Sequence, residues 1–97
     1  MNEETRPKKA LHVTLYGNVQ GVGFRYFTKQ NANRLGIVGW VKNQMDGTVE
    51  IWAEGGEYKL QKFLGTVREG PSHAHVRNAD VEWKEPRGEF SSFRVRY

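Results

Sequence analysis

Residues 17–25, GNVQGVGFR, place three glycines within seven positions and close on Phe24 and Arg25. Glycine lacks the Cβ that blocks positive φ and close backbone approach, so consecutive amides can turn inward as a concave nest. The segment that follows has helical periodicity. A helix N-terminus offers unpaired N–H groups and the positive end of its dipole, which suits an anion. Arg25, at or near the first helical turn, adds a planar fork that matches phosphate oxygens in pairs. The loop therefore reads as a phosphate cradle. It is not a Walker loop, because no Gly-Lys followed by Ser or Thr closes it. Nor is it the dinucleotide fingerprint, because Phe24, Arg25 and Tyr26 follow Gly23 where a third glycine is required. A plain glycine-rich turn with an exposed arginine has the same spacing. The second candidate is Asn43, in GWVKNQMDGTVE, just before an Asp46-Gly47 turn. An asparagine there caps a turn, or it orients a water through a side chain that both donates and accepts.

Other chemistries lack their residues. The 97-residue chain has no cysteine, hence no thiolate nucleophile, disulfide or Cys-based zinc site. His73 and His75 form an H-x-H with no third ligand placed by spacing, and they read as surface histidines. His12 alternates along a strand. Ser72, Ser91 and Ser92 lack a nucleophile-elbow context, and Glu82 and Glu85 read as a solvated face. The net charge is +4, which suits an anionic partner or a merely basic surface. The N-terminus is charged and carries no apolar run, so a signal peptide or membrane anchor is not expected. The cytoplasm is the expected location.

The elements that must position these residues follow from periodicity. Residues 1–9 read as a charged flexible tail and 10–97 as one domain. A strand in ALHVTLYG places Leu11, Val13 and Leu15 on one face. FRYFTKQNANRLG reads as a helix stopped by Gly36. IVGWVKN and TVEIWAEG read as strands around the Asp-Gly turn. The second of them sets Val49, Ile51 and Ala53 against a polar face of Glu50, Trp52 and Glu54. EYKLQKFLGTVREG is a helix with Leu60, Phe63, Leu64 and Val67 on one side. A strand follows around HAHVRNADVEW, in which Val76 and the Ala79, Val81, Trp83 set compete for the inner face. FSSFRVRY closes as a short strand. The three tryptophans are read as sheet packing. The order βαββαβ plus a short terminal strand is an α+β ferredoxin-like sandwich: an antiparallel-dominated sheet with two helices on one face. That fold hosts unrelated activities and settles none of them.

GNVQGVGFR followed by GWVKNQMDGTVE resembles the two signatures of the acylphosphatase family. The likeness extends through LGIVGW, REGPSHA and the aromatic terminus FRVRY, and spans residues 10–97. It implies the same five-stranded ferredoxin-like sandwich. Matched position by position, it makes Arg25 the phosphate-binding arginine and Asn43 the asparagine that holds the attacking water. Gly21, Val22, Gly23 and Phe24 fall on the amide cradle. Gly23 stands where some members carry Cys, a neutral change if only the backbone is needed. The implied activity is hydrolysis of acyl phosphates to carboxylate and inorganic phosphate, with no cofactor and no metal, and with the substrate phosphate itself as the implied base. Inorganic phosphate or sulfate is expected to occupy the site, and a monomer is expected.

That reaction is compatible with so spare a set of residues. The leaving group is a carboxylate whose conjugate acid has a pKa near ~4, so it departs without a proton from the enzyme. A phosphate monoester would require a general acid. Phosphoryl transfer passes through a loose transition state, so positioning and electrostatics do most of the catalysis. Two alternatives belong to other classes. One is a ferredoxin-like nucleic-acid-binding module, which would stack bases on aromatics of a central strand; TVEIWAEG offers one Trp between two glutamates, so nucleic acid is not the expected partner. The other is a non-catalytic phosphate-binding module.

Overall fold

Period-two and period-3.6 patterning build the expected elements. The structure, a computed structural model, describes residues 8–97. In chain order it contains β1 (Lys8–Asn18), α1 (Phe24–Arg34), β2 (Val38–Asn43), β3 (Val49–Gly56), α2 (Glu57–Glu69), β4 (His75–Lys84) and β5 (Phe93–Arg96). The first seven residues of the expected tail lie outside the described residues. Lys8 and Lys9 belong to β1, where they pair with Gly56 and Gly55.

The sheet runs β4-β1-β3-β2-β5. Every neighbouring pair is antiparallel except β2 with β5, which is parallel. Both helices cover one face. This is the ferredoxin-like α+β sandwich, with β5 added at one edge. Leu11, Val13 and Leu15 of β1 and Val49, Ile51 and Ala53 of β3 bury completely against Leu60, Phe63 and Val67 of α2 and Ala32 of α1. Each buried Leu, Ile, Val or Phe side chain contributes about 1.5–3 kcal/mol through apolar area removed from water. Phe93 meets Phe63 edge-on at 6.0 Å and ties β5 to the core.

A bulge decides which residues of β4 face inward. Tyr16 pairs with Asn78 while Gly17 pairs with Val76, so Arg77 is skipped. The skipped residue reverses the alternation. Val76, Ala79 and Val81 therefore all pack against the core. Trp83 corrects the sheet-packing expectation: it stands opposite Leu11 on β4, the edge strand among the described residues, and is 44% exposed.

The outer half of β3 also departs from simple alternation. Trp52 and Glu54, expected on a polar face, are buried. The β4–β5 connection folds over them. Arg87 stacks its guanidinium 4.8 Å above the Trp52 ring. Glu54 accepts hydrogen bonds from Trp52 Nε1 (2.6 Å), Arg87 N (2.9 Å) and Gly88 N (3.1 Å). A buried carboxylate with three donors needs no water.

Candidate active site

The loop between β1 and α1 turns on its glycines. Gly23 is the N-cap of α1 at φ 77° and ψ 20°, a left-handed conformation that favours glycine. Gly21 sits at φ 74°. No side chain caps the helix, and its first turn holds no acidic residue. The first helical bond runs from Phe27 N–H to the Gly23 carbonyl at 3.0 Å. Among the described residues, the amides of 21–26 donate to no backbone carbonyl. The positive end of α1 thus stays uncompensated and open to an anion.

Arg25, in that first turn, is half-buried. Its guanidinium lies 4.9 Å over the ring of Tyr97. Among the described residues it has no carboxylate partner within ion-pair distance. A stacked guanidinium is held in orientation while its edge donors remain available.

Asn43 ends β2, opposite Val49. It continues the row of Gly39 and Val41 on the helix-covered side of the sheet, which brings it toward the start of α1. Its Oδ1 is buried and, among the described residues, has no hydrogen-bond partner. Leaving such an acceptor unpaired costs about 1–3 kcal/mol, so this is a polar group kept for something other than stability.

The two segments meet in one cavity of about 500 Å³. Of the residues predicted from sequence, Gly23, Phe24, Arg25 and Asn43 line it. Gly21 and Val22 do not: Gly21 is exposed, and Val22 packs its side chain partly against the core. Five further lining residues escaped the sequence reading: Tyr26, Lys29, Arg94, Val95 and Tyr97. Lys29 had a local signal, since it lies four residues after Arg25 and so one turn along the same helix face. Arg94 and Tyr97 had none, because the parallel pairing of β5 with β2 brings the chain's end, including Tyr97 just beyond β5, to the site.

The loop and the hairpin after Asn43 are fastened together. Gln20 Nε2 donates to the carbonyls of Gln44 and Thr48, each at 2.8 Å. Within the hairpin, Asp46 accepts from the Thr48 hydroxyl at 2.6 Å and the Thr48 amide at 3.0 Å. These hydrogen bonds, the hydroxyl's first, hold the Asp46 carboxyl below its ordinary value. Among the described residues no group of three His, Cys, Asp or Glu side chains gathers in metal-binding fashion, and no helix is long and apolar enough to cross a membrane.

Comparison with known proteins places this architecture. The Acylphosphatase family model matches residues 11–95. The chain is 51% identical to an acylphosphatase of Archaeoglobus fulgidus over 88 residues, covering 91% of this chain and 98% of the relative. It is 44% identical to an acylphosphatase of Salinibacter ruber over 93 residues, covering 96% and 98% of the two chains. The crystal structure of acylphosphatase from Bacillus subtilis superposes with a TM-score of 0.88 at 38% identity, covering 92% of this chain and 99% of that one. With its glycine loop, its strand-end asparagine and its five-stranded sheet all inside the matched span, the chain belongs to the acylphosphatase family.

Proposed function

We propose that this acylphosphatase holds the phosphoryl group of an acyl phosphate between the open amides at the start of α1 and the guanidinium of Arg25, and that Asn43 orients the attacking water. The observation that carries the reading is the unpaired Oδ1 of Asn43, buried in the wall of the same cavity that Arg25 lines. An acceptor so placed takes one proton of a water and aims an oxygen lone pair toward phosphorus.

The chemistry needs little more. Water oxygen bonds to phosphorus as the bond from phosphorus to the acyl oxygen breaks. The acyl oxygen keeps the electron pair and leaves as a carboxylate, stable without protonation. Charge spreads over the equatorial oxygens in the loose transition state, where fixed amides and Arg25 stabilise it without reorganisation. The water's proton passes to a phosphoryl oxygen. Among the described residues no Asp, Glu or His lines the cavity to take it, which favours the substrate's own phosphate as acceptor.

Turnover of benzoyl phosphate against p-nitrophenyl phosphate, with a chelator present, tests this. Rapid hydrolysis of the acyl phosphate alone, insensitive to chelator, is expected. Equal hydrolysis of both, or loss of activity with chelator, would overturn it.

A further inference from the structure

The open face of the sheet carries a run of three side chains that ends beside Asn43. His12 of β1 sets its Nε2 2.6 Å from Oε2 of Glu50 on β3. The other carboxylate oxygen, Oε1, accepts a hydrogen bond from Gln44 Nε2 at 2.6 Å. The His12 and Glu50 side chains are half-buried, 26% and 22% exposed. Both leave the face opposite the helices, since His12 alternates with the buried Leu11 and Val13, and Glu50 with the buried Val49 and Ile51.

Glu50 has another cation within reach of its strand. Lys42 stands directly across from it on β2, yet among the described residues no ion pair joins the two within 4.0 Å. On the other side of His12, Glu82 lies 3.8 Å from Nδ1 and is itself paired with Lys84 at 3.3 Å. The Trp52 ring stands 5.9 Å from the imidazole. Glu50 thus commits one oxygen to an imidazole flanked by a carboxylate and an indole, and the other to the residue that follows Asn43.

That residue sits where the sheet ends. The β2–β3 ladder stops at Asn43, opposite Val49. Beyond it the Gln44 N–H donates to the Thr48 carbonyl at 2.9 Å, and the Gln44 carbonyl accepts from Gln20 Nε2 at 2.8 Å. The Glu50 bond is the tether on the Gln44 side chain, and it pulls from the open face, opposite the side on which Asn43 meets the cavity. A hydrogen bond to a carboxylate is about twice as strong as a neutral one, so this tether resists any rotation of the strand end that would re-aim Asn43. We propose that His12 and Glu50 are positioning residues that, through Gln44, fix the direction in which Asn43 presents its Oδ1 to the attacking water. This rests on the acylphosphatase reading of the site. Neither residue lines the cavity, and the bonds made and broken are unchanged.

The test follows benzoyl phosphate hydrolysis, with circular dichroism to check that each variant folds. Glu50→Ala and Gln44→Met cut the same link at its two ends and should each lower kcat by about tenfold, within the ~10²-fold that a displacement of about 1 Å can cost. Glu50→Gln still offers Gln44 an acceptor and should keep kcat within about twofold of the parent. His12→Ala should lose about threefold, and His12→Gln, which still donates to Glu50, should restore it. Inhibition by inorganic phosphate should stay within about twofold throughout, because the loop amides and Arg25 are untouched. The deciding readout is a double-mutant cycle. In an Asn43→Ala background nothing is left to aim, so Glu50→Ala should cost less than about twofold. Gln44→Met carries the same cycle if Glu50→Ala does not fold. An equal loss in both backgrounds marks a merely structural role and overturns the positioning, as does a parental kcat in Glu50→Ala and Gln44→Met; a large loss in Asn43→Ala then leaves the parent reading standing. A parental kcat in His12→Ala removes His12 from the pair. If Asn43→Ala itself keeps the parental kcat, or the wild-type protein does not hydrolyse benzoyl phosphate, the parent reading falls and the positioning with it.

Discussion

The side-chain amide of Gln20 donates to the carbonyl of Thr48 at 2.8 Å, and the same nitrogen reaches Gln44 O at 2.8 Å. One residue of the glycine loop thereby fixes that loop to the hairpin that follows Asn43. Each of those carbonyls also accepts a backbone amide: Thr48 O from Gln44 N at 2.9 Å, and Gln44 O from Gly47 N at 3.1 Å. Removing the Gln20 amide therefore leaves no carbonyl orphaned, and Gln20→Leu should cost only about 1 kcal/mol of stability. Activity should suffer more, because a displacement of about 1 Å between cradle and water can cost up to ~10²-fold. Urea denaturation and acyl phosphate turnover of the same preparation check both halves. A stability loss without a larger loss in kcat/KM would show that the link only holds the fold.

Arg25 and Asn43 should fail differently. Arg25→Gln removes the one charged side chain of α1's first turn, which in the proposed function grips the phosphoryl group, and turnover should fall by about 10³–10⁵, as for other arginines serving phosphoryl transfer. Arg25→Lys should not restore it, since a point charge lacks the planar fork. Asn43→Ala should lower kcat by about 10²–10³ while inhibition by inorganic phosphate stays close to normal, because its proposed task is to orient the water. It should be no less stable than the parent, since the change deletes a buried, unpaired oxygen. Kinetics, phosphate inhibition and thermal midpoints of the variants separate these roles.

Most of this architecture is legible in the sequence where local rules act. Alternation marks the strands, the Leu60, Phe63 and Val67 stripe marks α2, and the glycines mark the loop that Gly23 turns into α1. What escapes is long-range. The bulge opposite Tyr16 and Gly17 lets Val76 and Val81 share one face, and alternation alone cannot foresee a skipped residue. Trp52 and Glu54 read as outward because the residues that bury them, Arg87 and Gly88, come 33 and 34 positions after Glu54. β5 reaches the cavity wall only because it pairs with β2. Gly21 and Val22 stand in the loop motif, yet the cavity wall begins at Gly23.

Gly39, like Gly17, is a position where the backbone leaves no choice. It sits at φ +138°, and a Cβ there would lie 1.9 Å from the Trp52 carbonyl oxygen. That oxygen belongs to the adjacent central strand and cannot swing aside as a side chain would. Gly39→Ala combines strained dihedrals with a backbone clash and should destabilise by about 3 kcal/mol or more. Because β2 carries Asn43 at its far end, residual folded protein should also lose activity. A variant that keeps the parental denaturation midpoint would contradict the close β2–β3 approach.

Glu54 should write a pH dependence into stability. Burial pushes its carboxyl up, but the Trp52 Nε1–H, the amides of Arg87 and Gly88 and the Arg87 charge outweigh that and hold it below its ordinary value of 4.5. A carboxyl depressed on folding is protonated first in the unfolded chain. Its contribution is therefore fully present above about pH 4.5 and fades as pH falls through the folded value. Glu54→Gln keeps the shape but loses the charge-assisted bonds, and should cost about 1–3 kcal/mol at pH 7. The gap between parent and variant should narrow steadily on acidification below pH 4.5, where the parent loses what the variant never had. Thermal midpoints of both proteins across that range provide the check. A gap that stays constant with pH would mean that the carboxylate's charge contributes nothing to holding the β4–β5 connection over Trp52.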